Sequence, residues 1–105
     1  MNHAQMAANV FALTGRLDVH AAADARLLLA DAVDHGDGEL VLDLAALEAV
    51  DATGLGVLVG ALKDTQAVDG TLELICTQRR MLNLLHLAGL DEAFTVHEAD
   101  IAGTG

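Results

Sequence analysis

The chain has 105 residues, of which 16 are acidic and 5 are basic, and its formal net charge is −11 at pH 7. Nucleic acids and anionic lipid surfaces repel so negative a protein, so we expect neither nucleic-acid binding nor membrane insertion. The length suits one domain over residues 1–105 with its core at about 9–97, and aromatic residues, at 2%, offer no stacking platform for bases or sugars.

The N-terminal half predicts three strands and one helix. Residues 3–6 favour a weak edge strand, and residues 9–14, closed by Gly15, favour a better one. Residues 20–33 carry apolar side chains at helical spacing with aspartates on the opposite face, which predicts an amphipathic helix. The short apolar run 40–44 is typical of a central strand covered on both faces.

The C-terminal half continues the alternation of helices and strands. Residues 55–67 predict a second helix that stops before Gly70, and residues 71–76 predict a strand. Residues 79–87 predict a third helix, ended by Gly89, and residues 95–97 a last short strand. The predicted inward stripe of the second helix comprises Leu55, Leu58, Val59, Leu62 and Gln66, and the third helix offers Leu84, Leu85 and Leu87 to the core.

Strands that alternate with helices indicate an α/β domain. We expect a mixed sheet of four to five strands packed with about three to four helices. The sequence contains no proline and no serine-rich linker, so no domain boundary is marked within it.

Thr53 is the hydroxyl side chain with the strongest functional pattern. The sequence contains no serine or tyrosine, and Thr53 precedes Gly-Leu-Gly where an apolar strand gives way to a helix. The free N–H groups and the positive dipole end at a helix start favour an oxygen or a phosphate there. A plain N-cap role for Thr53 is the alternative, and the two roles are compatible.

Other kinds of site find little support in the sequence. The spacing of Gly54 and Gly56 matches neither the dinucleotide fingerprint nor a Walker loop. The five histidines are scattered and Cys76 has no second cysteine, so we expect no metal, no cofactor and no disulfide. No nucleophile has a supporting acid–base constellation, and we expect a protein that is not an enzyme.

Cys76 and the N-terminal residues predict the cellular compartment of the protein. Cys76 lies in an apolar run, where a small buried hydrophobe in a reducing compartment is the simplest interpretation. Residues 1–8 lack the positive charges and the apolar stretch of a signal peptide. We therefore expect a cytoplasmic protein.

Three stretches, taken in order, share the pattern of a known domain family. Residues 15–18 read Gly-Arg-Leu-Asp at the end of the second predicted strand, and residues 50–58 read Val-Asp-Ala-Thr-Gly-Leu-Gly-Val-Leu after the apolar run 40–44. Residues 84–90 read Leu-Leu-His-Leu-Ala-Gly-Leu before Phe94. In this order and spacing, from about residue 9 to residue 97, the chain resembles the STAS domain, the fold of bacterial anti-sigma factor antagonists.

The resemblance implies a switch controlled by phosphorylation. The unmodified antagonist binds an anti-sigma factor that is also a serine/threonine protein kinase, and the sigma factor is freed. Phosphorylation of the residue matching Thr53 ends that binding, and a metal-dependent phosphatase resets the switch. The resemblance assigns the phospho-loop and partner-binding surface to Asp18, Asp51, Ala52, Gly54, Leu55, Gly56 and Val57.

Two departures from the family pattern keep alternatives open. The family loop generally reads Asp-Ser-Ser-Gly, whereas this loop reads Asp-Ala-Thr-Gly, which leaves Thr53 as its sole hydroxyl. The C-terminal helix of many members is shortened here to residues 98–102. The altered loop keeps open an alternative role as the STAS regulatory subunit of an ABC-type lipid transporter. A scaffold subunit of a stress-signalling complex is a further alternative.

Overall fold

A computed structural model describes residues 1–7, 9–35, 38–90, 92 and 95–97. Phe94 and the helix expected over 98–102 lie outside the described residues. Within the described part the chain forms six strands and three helices. In chain order these are β1 (Asn2–Ala7), β2 (Val10–Leu17), α1 (Ala22–His35), β3 (Glu39–Asp43), β4 (Leu47–Val50), α2 (Ala52–Ala67), β5 (Thr71–Ile75), α3 (Arg79–Leu87) and β6 (Thr95–His97).

The strands form one mixed sheet, which confirms the α/β prediction. The strand order is β1-β2-β3-β5-β6, and β4 pairs with β2 outside this path. The β1–β2 pair is antiparallel and the other pairs are parallel. The sheet has six strands where four to five were expected, because the four residues of β4 are too few to show a strand period.

Strand β2 changes partner along its length. Val10 to Ala12 pair with β3, whereas Gly15 to Leu17 pair with β4. The register shifts between Gly15 and Arg16, and Gly15 has φ +80°, a conformation that favours glycine. The strand therefore continues through Gly15 to Leu17, although the sequence pattern placed its end at Gly15.

The core lies mainly on one face of the sheet. Leu40 and Leu42 of β3 are fully buried, whereas Val41 and Asp43 between them are half-buried. Strand β3 is central, as expected, but its second face is not completely covered. The side chains with 0% exposure are Leu13, Leu17, Ala25, Leu40, Leu42, Leu44, Leu58, Leu74, Cys76, Leu85 and Thr65.

Helix α2 faces the core with smaller side chains than the sequence pattern indicated. Of the predicted stripe, Leu58 is buried, but Gln66 is exposed. The buried residues are Gly54, Val57, Leu58, Ala61 and Thr65. The helix begins at Ala52, and its small residues bring its backbone close to the sheet. In α3, Leu85 is fully buried, but Leu87 is 83% exposed, so its assignment to the core was wrong.

The end of α2 adopts the hydrogen bonding of a Schellman motif. The Gly70 N–H donates to the Thr65 carbonyl at 2.7 Å, and the Asp69 N–H donates to the Gln66 carbonyl at 3.1 Å. The left-handed residue is Asp69, with φ 55°, rather than the expected stop residue Gly70. Gly70 is required for a different reason, because a Cβ there would collide with the Gly38 carbonyl.

Substitution of Asp69 tests the strain at this helix end. Asp69→Gly should raise the free energy of unfolding by about 0.5–1 kcal/mol, because glycine adopts the left-handed conformation without a steric penalty. Gln66→Gly, within the same helix, should lower it by about 1 kcal/mol. Urea denaturation followed by circular dichroism measures both variants. A loss of stability in Asp69→Gly would show that the Asp69 side chain, and not its backbone, matters.

Candidate functional site

The candidate site forms where β2 and β4 end together. These strands are parallel, and Leu17 is paired with Val50 at their carboxyl ends. The Asp51 N–H donates to the Leu17 carbonyl at 3.3 Å, directly before α2 begins. The sheet therefore brings Asp18, which follows Leu17, close to the start of α2.

Asp51 is the N-cap of α2. Its Oδ1 accepts a hydrogen bond from the Gly54 N–H at 2.8 Å, and its backbone is extended. Its Oδ2 accepts from the Val19 N–H at 3.3 Å, which ties the β2–α1 turn to the helix start. The N-cap role that the sequence offered as an alternative for Thr53 thus belongs to Asp51.

Asp18 orders the turn between β2 and α1. Its Oδ1 accepts hydrogen bonds from the N–H groups of His20 at 3.0 Å and Ala21 at 3.2 Å. Each of the two aspartates therefore satisfies backbone donors at the carboxyl end of the sheet. Because each is held by two such bonds, their negative charges have fixed positions beside the start of α2.

Thr53 is the second residue of α2 and is half-buried. No described residue forms a hydrogen bond with its hydroxyl group. The N–H groups of Ala52 and Thr53 lie in the first helical turn, where no intrahelical acceptor exists. The hydroxyl is thus placed beside unsatisfied donors at the positive end of a 16-residue helix.

The predicted partner-binding residues divide into surface and interior. Ala52 and Gly56 are exposed, and Leu55 is half-buried. Val57 is 1% exposed, so its assignment to the partner surface is wrong, because it faces the core between α2 and the sheet. Gly54 is buried as well, and a Cβ there would overlap the Leu17 carbonyl oxygen.

Val19 is a surface residue of this site that sequence reasoning missed. Its side chain is 61% exposed, and its N–H is bonded to Asp51, so it lies beside the start of α2. No periodic pattern surrounds Val19, since it lies in a turn. Its proximity to Thr53 follows from the pairing of β2 with β4, which the sequence did not predict.

An open cavity of about 400 Å³ adjoins the Asp18 turn. Its charged lining residues are Arg16, Asp18, Asp24 and Glu48, so carboxylates outnumber the single guanidinium among them. The described residues contain no group of three or more His, Cys, Asp or Glu side chains that could hold a metal ion. None of the three described helices combines the length and the apolar character needed to cross a membrane.

The sequence model of the STAS domain matches residues 3–99. The chain belongs to the STAS domain family. Among curated relatives, the anti-sigma-B factor antagonist of Staphylococcus epidermidis is 30% identical over 84 residues, which cover 80% of this chain and 78% of that protein. The anti-sigma-B factor antagonist of Bacillus subtilis is also 30% identical over 84 residues, covering 80% of this chain and 76% of that protein.

Solved structures show the same STAS fold. An anti-sigma factor antagonist from Mycobacterium paratuberculosis superposes with a TM-score of 0.80 at 20% identity, over 97% of this chain and 86% of that one. The Bacillus antagonist SpoIIAA in its phosphorylated form gives a TM-score of 0.73 at 22% identity, over 98% and 94% of the two chains. Its unphosphorylated form gives 0.72 at 20% identity, over 98% and 92%.

Gly54 and Gly56, which lie one and three residues after Thr53, provide a matched test of the packing of α2 on β2. Gly54→Ala should lower the free energy of unfolding by about 1–3 kcal/mol, because the added methyl group meets the Leu17 carbonyl. Gly56→Ala has open space around its Cβ and should raise stability by about 0.5–1 kcal/mol through helix propensity. Urea unfolding compares the two variants. Equal stability changes would contradict the close packing of α2 on β2.

Proposed function

We propose that the chain is an anti-sigma factor antagonist whose binding is switched off by phosphorylation of Thr53. The unmodified form binds an anti-sigma factor that is also a serine/threonine protein kinase, and this binding frees the sigma factor. A metal-dependent phosphatase restores the unmodified form. The protein acts as a cytoplasmic binding partner without enzymatic activity of its own.

One observation carries this proposal: the hydroxyl of Thr53, to which no described residue bonds, lies in the first turn of α2, two residues after the capping Asp51. A kinase needs a hydroxyl that it can reach, and Thr53 is half-buried rather than enclosed in the core. The curated relatives named as anti-sigma-B factor antagonists support the class of function. The residues Asp51, Ala52, Thr53 and Gly54 resemble the family's phosphorylation loop in sequence, which supports the assignment of Thr53.

The start of α2 can accommodate a phosphate without unfolding. A phosphate adds about −1.5 to −2 charges and three acceptor oxygens. The N–H groups of Ala52 and Thr53 supply donors, and the helix dipole favours the negative charge. The phosphorylated and unphosphorylated forms of SpoIIAA both share the fold described above, which supports a switch with little change in backbone structure.

The same phosphate is unfavourable for a docked partner. Backbone hydrogen bonds hold the carboxylate of Asp51 at the helix start and that of Asp18 in the adjoining β2–α1 turn, so two negative charges oppose the new one. An interface built around a neutral threonine would bury a dianion next to two carboxylates, which costs several kcal/mol. Binding is therefore lost through charge and desolvation.

In the unmodified protein, the proposed partner surface combines apolar side chains with a glycine that has no side chain. Val19 is a large exposed hydrophobic side chain, and Leu55 in α2 is half-buried. Gly56 is exposed, and apart from its own stretch of helix no atom lies within 4 Å of where a Cβ would be, so a partner backbone can approach closely there. Desolvation of these groups would make the contact sensitive to a single added charge.

Phosphate transfer tests the assignment of Thr53. The chain is incubated with ATP and the kinase that co-purifies with it, and intact-mass spectrometry should detect one added phosphate. Thr53→Val should abolish the addition, because valine keeps the shape of threonine without a hydroxyl group. Thr77→Ala removes another exposed threonine and should leave the addition unchanged. A phosphate mapped to a different residue refutes the assignment.

A charge substitution tests the switch itself. Thr53→Glu should weaken binding to the kinase at least about tenfold, which corresponds to about 1.4 kcal/mol, because a carboxylate enters the interface. Thr53→Val should bind within a few-fold of the original chain. Isothermal titration calorimetry measures affinity, and circular dichroism checks the fold of both variants. If Thr53→Glu binds as tightly as the original chain, the charge mechanism is contradicted. The phosphate-transfer experiment does not depend on that result.

A further inference from the structure

Strand β4 has a free edge within the described sheet. It pairs with β2 and with no other described strand. The Asp51 N–H points towards β2, where it bonds to the Leu17 carbonyl. Since backbone polar groups alternate in direction along a strand, the N–H and carbonyl of Val50 point away from β2. An incoming strand could pair with this edge.

An apolar groove of about 480 Å³ lies beside that edge, between β4 and α3. Its lining residues are Leu47, Glu48, Ala49, Val50, Gln78, Arg80, Met81 and Leu84. The apolar side chains form its floor, and the two charged residues, Glu48 and Arg80, are exposed. A strand edge next to an apolar groove is the combination that domains use to bind extended peptides.

Gln78 lines the groove and connects its two walls. Its side-chain amide donates to the carbonyls of Leu44 at 3.0 Å, Ala45 at 2.5 Å and Leu47 at 3.0 Å. These bonds fix the chain between β3 and β4, together with Leu47 at the start of β4, to the start of α3, so the edge of β4 open to a further strand lies beyond Leu47. The groove is therefore preformed, and a ligand need not supply the free energy of ordering its walls.

The apolar surface continues from the groove along α3. Leu84 and Leu87 lie four and seven residues after Arg80, which places all three on one helix face. Leu87 is 83% exposed, the largest exposure among the large exposed hydrophobic side chains of the described residues. Apolar area of this kind next to a groove marks an interaction site.

We propose that the groove binds an extended segment of a partner protein, which adds to the free edge of β4 as a further strand. Alternate apolar side chains of the segment fill the groove between Val50 and Leu84. One acidic side chain pairs with Arg80 at the rim, beside the positive end of α3, whose N-cap residue makes no side-chain hydrogen bond to the helix. Glu48, on the opposite side, disfavours further acidic residues.

The net charge of the chain favours a segment of a partner protein, rather than a second copy of the chain, as the occupant of the groove. Two copies with a formal charge of −11 each repel one another. The two outer strands of the described sheet that a second copy would offer, β1 and β6, carry no acidic residue for Arg80. A mainly apolar partner segment with a single glutamate or aspartate avoids both problems.

A labelled peptide tests the proposal on the full chain. The probe is a fluorescent octapeptide of alternating valine and threonine with one central glutamate, blocked at both ends, and fluorescence anisotropy should show saturable binding. The same peptide with lysine in place of glutamate should bind about fivefold more weakly. Equal binding of the two peptides, or no binding, would overturn the proposal, as would sedimentation showing that the chain dimerises through this groove.

Backbone methylation and one charge reversal identify the site and the mode of binding. Two versions of the peptide are N-methylated at alternate residues, one at the odd positions and one at the even positions. Because a strand pairs through one edge, one version should lose binding and the other should keep it. Equal effects of the two methylation patterns would overturn strand addition.

Arg80→Glu should weaken binding about fivefold. Arg26→Glu makes the same charge change on α1 and should not, so equal losses would place the site elsewhere. Thr53→Glu should leave peptide binding unchanged, which separates this site from the proposed switch.

Discussion

The carboxylate of Asp51 is the interaction on which the rest of the candidate site depends. One oxygen caps α2 through the Gly54 N–H, and the other binds the Val19 N–H in the β2–α1 turn. Both segments are therefore fixed to the carboxyl end of the sheet. Because Asp51 satisfies the helix cap, the hydroxyl of Thr53 is not needed for it and stays available at the first turn. The Thr53 hydroxyl is thus available because Asp51, two residues earlier in the chain, supplies the cap.

The partner change of β2 explains why the two candidate surfaces lie on either side of β4. The bulge at Gly15 lets the first half of β2 pair with β3 and the second half with β4. One edge of β4 thus pairs with β2, and the strand ends just before Asp51 and Thr53. The other edge of β4 borders the groove beside α3. Gln78 joins the start of β4 to the start of α3 through the Leu47 carbonyl.

The sequence predicted the α/β class, the central position of β3 and the start of a helix near Thr53, because each depends on local pattern. It missed β4, which is too short to show a period and exists through its pairing with β2. It placed Gln66 in the core stripe of α2 and, through the resemblance, Val57 on the partner surface, whereas Gln66 is exposed and Val57 is buried. The face of α2 was decided by Gly54, which must contact the Leu17 carbonyl.

By itself, the sequence determined which chemistry is available: a hydroxyl before Gly-Leu-Gly, aspartates in two turns, and a strongly negative chain without a metal-ligand pattern. These are properties of residue type and spacing, and they do not change with packing. The tertiary structure decided which residue caps α2, which side chains reach the surface beside Thr53, and that a strand edge lies next to an apolar groove. Each of these depends on contacts between residues distant in sequence, such as Val19 with Asp51 and Leu47 with Gln78, which no local pattern encodes.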